Sequence, residues 1–133
     1  LAGALATGAH LTANWGDVDY LDLNTCWPLA EAYQANAEAL GREFFPHDKL
    51  PASVAGSTDM GNVSYRVPSI HPMIAAAPAH CTIHNPEFAK WAGSDSGDLA
   101  ALDGAKALAM TAIDYLTDAE LRSRVADAFS ATA

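Results

Sequence analysis

From His10 to Trp15 the chain alternates. Leu11, Ala13 and Trp15 fall on one face, and His10, Thr12 and Asn14 on the other. A period of two is that of a half-buried strand. Before it, Leu1 to Ala6 reads as the last turns of a helix, which Gly8 can end in a left-handed conformation. After it, Gly16-Asp17 turns the chain, and Val18, Tyr20 and Leu21 continue in extended form. Pro28 opens a helix at a position where its missing N–H costs nothing. Leu29, Tyr33, Ala37 and Leu40 then repeat at helical spacing, and Gly41 follows as the stop. Residues 44–56 carry Pro46 and Pro51 and read as a loop. Val63, Tyr65 and Val67 alternate with Asn62, Ser64 and Arg66, which predicts a second strand ended by Pro68. The apolar run 70–77 predicts a buried strand that Pro72 places at an edge or a bulge. Residues 78–93 are irregular, with one helical turn at 87–91. A long helix is expected from Asp98, with Leu99, Leu102, Ala105, Ala109, Ile113 and Leu116 as its apolar stripe. Thr117 and Glu120 form a capping box for a last helix, whose stripe is Leu121, Val125 and Phe129.

This order of elements predicts the α/β class, with helices covering a mixed sheet. There is no internal repeat. The strand pattern stops and a new helix begins between Asp22 and Trp27. A boundary there divides the chain into residues 1–22 and 23–133, the first too short to fold alone. The chain starts with Leu1 rather than Met, so it is expected to be a fragment, a processed product or a trimmed piece.

Composition narrows the class. With 133 residues, 50% hydrophobic and 17% charged, the chain is long and apolar enough to fold. No apolar run approaches the ~20 residues of a membrane span. The net charge of −9 argues against nucleic acid as a partner, because phosphate binding needs a basic surface. Two cysteines, Cys26 and Cys81, match no CxxC motif and read as buried or half-buried thiols. A signal peptide is not supported, because no basic residues precede the apolar start, so a cytoplasmic setting is the expectation.

The sequence has no Walker loop and no GxSxG elbow. The segment GSTDMGNVS, Gly56 to Ser64, is the densest polar run beside a predicted strand. Its small residues and Asp59 suit a ligand-facing turn, but short Gly/Asp turns are common and a structural role for Asp59 is the simpler reading. His71 lies in a predicted strand edge, and His80 and His84 lie in the irregular stretch. His80, Cys81 and His84 match no common structural-zinc spacing. Asp95, Asp98 and Asp103 surround a helix start, where negative charge is favoured.

Three segments in order carry a resemblance: GSTDMGNVSYRVPSIHPMIA, then IHNPEFAKWAG, then GAKALAMTAIDYL. Together they resemble the C-terminal part of metal-dependent amidohydrolases of the aminoacylase and glutamate-carboxypeptidase-like family, most of all its aminobenzoyl-glutamate hydrolase-like members. The resemblance implies that residues 1–22 are the last helix and strand of a lid or dimerisation domain. Residues 23–133 would be the C-terminal part of the catalytic domain. It implies two zinc, or manganese, ions in the full-length protein and hydrolysis of an amide by metal-activated water. His84 matches the family's last metal-binding histidine. Asp59 matches an aspartate beside the metals, and Asn62 and His71 take near-site or substrate positions.

The other ligands and the general base are not in this sequence, so it is expected to hold no catalytic residue and to bind metal weakly or not at all by itself. An N-acyl amino acid, a dipeptide and an aminobenzoyl-glutamate-like compound all fit as substrates. Partners are then the small amide substrate, the missing N-terminal part, and a second copy meeting it through residues 1–20. A non-catalytic α/β binding or interaction module derived from the same fold is the alternative.

Overall fold

The computed structural model of the chain describes residues 2–45 and 58–131. Among them lie six helices: α1 (Ala2–Thr7), α2 (Trp27–Ala39), α3 (Met60–Ser64), α4 (Pro86–Ala92), α5 (Asp95–Thr117) and α6 (Ala119–Ser130). The expected loop through Pro46 and Pro51 falls largely outside the described residues, as do Gly56 and Ser57.

The body is built on α2, α5 and α6. Pro28 lies in the first turn of α2, and Gly41, at φ 86°, follows the helix as its stop. Tyr33 and Ala37 of α2 bury against Ala107 of α5, the two alanines to 0% exposure. Small side chains at that contact let the helix backbones approach closely. Tyr33 also meets Phe44 edge-to-face, with ring centroids 6.2 Å apart. A second cluster joins Cys26 to Leu121 and Val125 of α6. Complete burial of an aliphatic side chain such as Val125 contributes about 1.5–3 kcal/mol. Polar groups in the α2–α5 contact are paired: Asn36 Nδ2 donates to Thr111 Oγ1 at 3.2 Å and to Asp114 Oδ2 at 2.7 Å.

Arg42 binds three parts together. Its Nη2 lies 2.8 Å from Asp103 of α5, and its Nη1 donates to the Ala75 carbonyl at 3.2 Å. Asp103, expected at a helix start, is therefore an ion-pair partner within the helix. Residues 70–76 belong to no helix or named strand, and Ile70, Pro72, Ile74 and Ala76 are half-buried while His71, Met73 and Ala75 are exposed. That is the alternation of a strand without a ladder. The described residues contain no named strand. A single isolated parallel bridge pairs Thr25 with Ser69, where the Cys26 amide donates to the Ser69 carbonyl at 2.9 Å. Among the described residues the helices pack on one another, and the only strand-like pairing is this one bridge.

Several local expectations are corrected. Met60–Ser64 is a helical turn, not part of a strand through Val63, Tyr65 and Val67. Residues 10–15 form no strand, and Leu11 and Trp15 are both exposed, Trp15 to 89%. The cap of α6 is Asp118, whose carboxylate accepts from the amides of Glu120 and Leu121; Thr117 instead donates back to the Ile113 carbonyl. On α5 the buried residues are Ala100, Ala107 and Thr111. The anticipated stripe is the outward face, with Leu102 57% and Ile113 59% exposed. A helix apolar on every side gives its periodicity no single inward face to announce.

Candidate functional site

The turn before α4 is specified residue by residue. Pro86, in the first helical turn, disfavours a helical conformation at the residue before it. Asn85 is accordingly extended, at φ −137° and ψ 165°, and acts as the N-cap. Its Oδ1 accepts from the Glu87 amide at 2.8 Å and the Phe88 amide at 3.0 Å. Its Nδ2 donates to the Thr82 carbonyl at 2.7 Å. Glu87 in the first turn and Lys90 in the last both suit the helix dipole.

His84 sits inside this turn at φ 64°, the one non-glycine residue with positive φ among those described. A histidine held there carries roughly 1–3 kcal/mol of backbone strain, which the surrounding cap must sustain. Its side chain is exposed. The turn therefore presents an imidazole outward from a backbone fixed on the C-terminal side by Asn85 and Pro86. Its neighbours are ordinary. His80 Nε2 lies 3.7 Å from Glu87 Oε1 as an exposed pair. The Cys81 thiol is raised above its usual pKa by desolvation first and Glu87 second, which disfavours the thiolate that binds metal. Cys26 and Cys81 are both free, the first buried and the second half-buried.

Asp59, Asn62 and His71 lie on other segments. Asp59 is exposed and stands just before α3; its side chain caps no helix amide, and Thr58 Oγ1 donates to it at 3.4 Å. His71 is exposed. Asn62, expected at a near-site or substrate position, binds backbone through its carboxamide. Its Oδ1 accepts from the Leu21 amide at 2.8 Å and its Nδ2 donates to the Asp19 carbonyl at 3.0 Å. Both ends of its carboxamide are used on the backbone. Ser64 and Tyr65, which sequence reasoning passed over, continue that contact: Ser64 Oγ accepts from the Asn24 amide at 2.9 Å, and Tyr65 donates to Asp22 Oδ1 at 2.8 Å. That hydrogen bond is also the first cause of the raised Tyr65 pKa. Among the described residues, no three His, Cys, Asp or Glu side chains form a group that could hold a metal ion. His80, Cys81 and His84 are included in that statement.

Over 128 residues, 96% of its length, the chain is 37% identical to a human Xaa-Arg dipeptidase. Over 115 residues, 86% of its length, it is 39% identical to a mouse Xaa-Arg dipeptidase. The chain is similar to dipeptidases. It spans 29% of the human relative and 26% of the mouse one. No family model matches it, and no solved structure does. The similarity covers both the GSTDMGNVS and IHNPEF regions of this chain, since 128 of 133 residues align.

Proposed function

We propose that the chain is the C-terminal part of the catalytic domain of a metal-dependent amidohydrolase acting on dipeptides, with His84 as one metal ligand. The observation that carries the reading is His84 itself: an exposed imidazole on a left-handed residue, locked by a proline and a two-amide asparagine cap. Backbone strain of that kind persists where the surroundings impose it and gathers at functional sites. The similarity to two proteins named as Xaa-Arg dipeptidases supports a dipeptide over the other two substrate classes.

The donor chemistry fits zinc or manganese in part. Imidazole suits both ions, and Asp59, on another segment, is an exposed carboxylate whose oxygens suit them too. No group of three donors exists among the described residues, so the remaining ligands would come from other residues of a longer protein. A divalent ion, when bound, supplies Lewis-acid activation of water and of the scissile carbonyl. This chain's contribution is to hold the His84 ring in place and to keep Asp59 at the start of α3.

The same reading takes the helices as packed on a mixed sheet and residues 1–22 as the end of a lid or dimerisation domain. It also includes a cytoplasmic setting and a homo-oligomer meeting through residues 1–20. No described helix is long and apolar enough to cross a membrane. The test is hydrolysis by the longer protein of a panel holding Xaa-Arg dipeptides, N-acyl amino acids and aminobenzoyl-glutamate, with and without a chelator. Chelator-sensitive cleavage of the dipeptides is expected. Turnover that survives metal removal contradicts the reading.

A further inference from the structure

From Leu5 to Asp22 every described residue is exposed, and α1 meets no other helix. This N-terminal arm is nevertheless tied to the body at a defined place. Asn62 grips the backbone on both sides of Tyr20, accepting from the Leu21 amide and donating to the Asp19 carbonyl. Two side chains of the same turn extend the grip, Ser64 to the Asn24 amide and Tyr65 to the Asp22 carboxylate. Gly61 makes the approach possible. A Cβ there would clash with the Leu21 carbonyl oxygen and lie 2.8 Å from the Leu21 carbonyl carbon. The turn is thus shaped, by one missing side chain and three polar ones, to receive residues 19–24.

The same turn begins at Asp59, three residues before Asn62. The place where the arm leaves the body and the position of Asp59 are therefore both tied to the α3 turn. We propose that Asn62 is a positioning residue: it anchors the arm to the α3 turn and so couples arm placement to the Asp59 side of the site. Its amide is committed to backbone, and it does not touch substrate. The kinetic half of this proposal rests on the amidohydrolase reading; the anchoring half does not.

Three variants separate the possibilities. Asn62→Ala removes both bonds, Asn62→Asp keeps an acceptor for the Leu21 amide, and Val125→Ala loosens the helix core far from the arm in sequence. In this chain, hydrogen exchange at the Leu21 amide should speed up about tenfold or more in Asn62→Ala and change little in Asn62→Asp, while amides of α2, α5 and α6 keep their protection. In the longer enzyme, Asn62→Ala should raise KM for a dipeptide about tenfold with kcat within about threefold, and Asn62→Asp should recover part of the loss. Val125→Ala should lower thermal stability without that KM change. Unchanged Leu21 exchange in Asn62→Ala overturns the anchor. Faster Leu21 exchange with KM and kcat both unmoved overturns the coupling. If the longer protein cleaves no dipeptide at all, the amidohydrolase reading falls, and Leu21 exchange still decides whether Asn62 holds the arm.

Discussion

Asn85 donates its amide hydrogen to the Thr82 carbonyl at 2.7 Å, closing the turn that carries His84. The same side chain caps α4 through its oxygen. Asn85→Ala should therefore act twice. Loss of the cap should destabilise the chain by about 1 kcal/mol, read by urea unfolding. Release of His84 should weaken metal binding by the longer protein about tenfold or more, the usual effect of losing a group that orients a ligand. An unchanged metal affinity would separate the cap from the site.

Two glycines of α5 should respond in opposite directions to alanine. At Gly97 a Cβ would meet the Ala92 carbonyl oxygen, its carbon at 2.7 Å and the Trp91 carbonyl oxygen at 2.8 Å. Gly97→Ala should cost about 1–3 kcal/mol, since backbone, not a flexible side chain, stands in the way. At Gly104 the nearest atom is Ile74 Cδ1 at 3.6 Å, an ordinary contact. Gly104→Ala should be neutral or stabilise by up to about 1 kcal/mol through helix propensity. Thermal unfolding of the two variants checks both signs.

The buried face of α5 can be tested by paired substitutions. Leu102→Gln and Ile113→Gln change exposed positions and should shift the unfolding free energy of this chain by no more than about 0.5 kcal/mol. Ala107→Leu forces a larger side chain into a position with 0% exposure and should cost about 1–3 kcal/mol. A reversed order would mean that the outward stripe, not Ala107, faces the core.

Acid should loosen the Arg42 junction. The Arg42 hydrogen bond, with Lys106 adding to it, holds Asp103 below the ordinary carboxylate pKa. A carboxylate with a depressed folded-state pKa contributes stability that is present above its unfolded value, near pH 4, and is lost as pH falls through the folded one. Arg42→Gln should abolish that part of the acid dependence and leave Asp103 titrating nearer its ordinary value, which NMR titration of the Asp103 carboxyl would show.

The helical body was legible because its punctuation is local. Pro28 and Gly41 mark α2, and the stripe of Leu121 and Val125 marks the buried side of α6. Asn85-Pro86 marks the start of α4, although its capping role was not read from it. The α3 turn was not legible. Val63, Tyr65 and Val67 alternate as a strand would, but Asn62 and Ser64 hydrogen-bond to residues about 40 positions earlier, and those partners decide the conformation. The near-site or substrate position expected for Asn62 rests on its motif, whereas its hydrogen bonds to the distant Asp19–Leu21 backbone have no local signal. On α5, apolar residues on every side of the helix hid which face was inward. His84 stands out only through the resemblance of its motif, and its left-handed backbone has no signal of its own beyond the following Asn-Pro.

Metal ligation by His84 in a dipeptide-cleaving enzyme is directly testable. The most direct test is metal content and dipeptide turnover of the longer protein with and without His84→Ala, alongside a folding check by circular dichroism. The account predicts a folded variant that retains less metal after dialysis and turns over at least about a hundredfold more slowly. A folded His84→Ala protein with full metal content and near-normal kcat would contradict it.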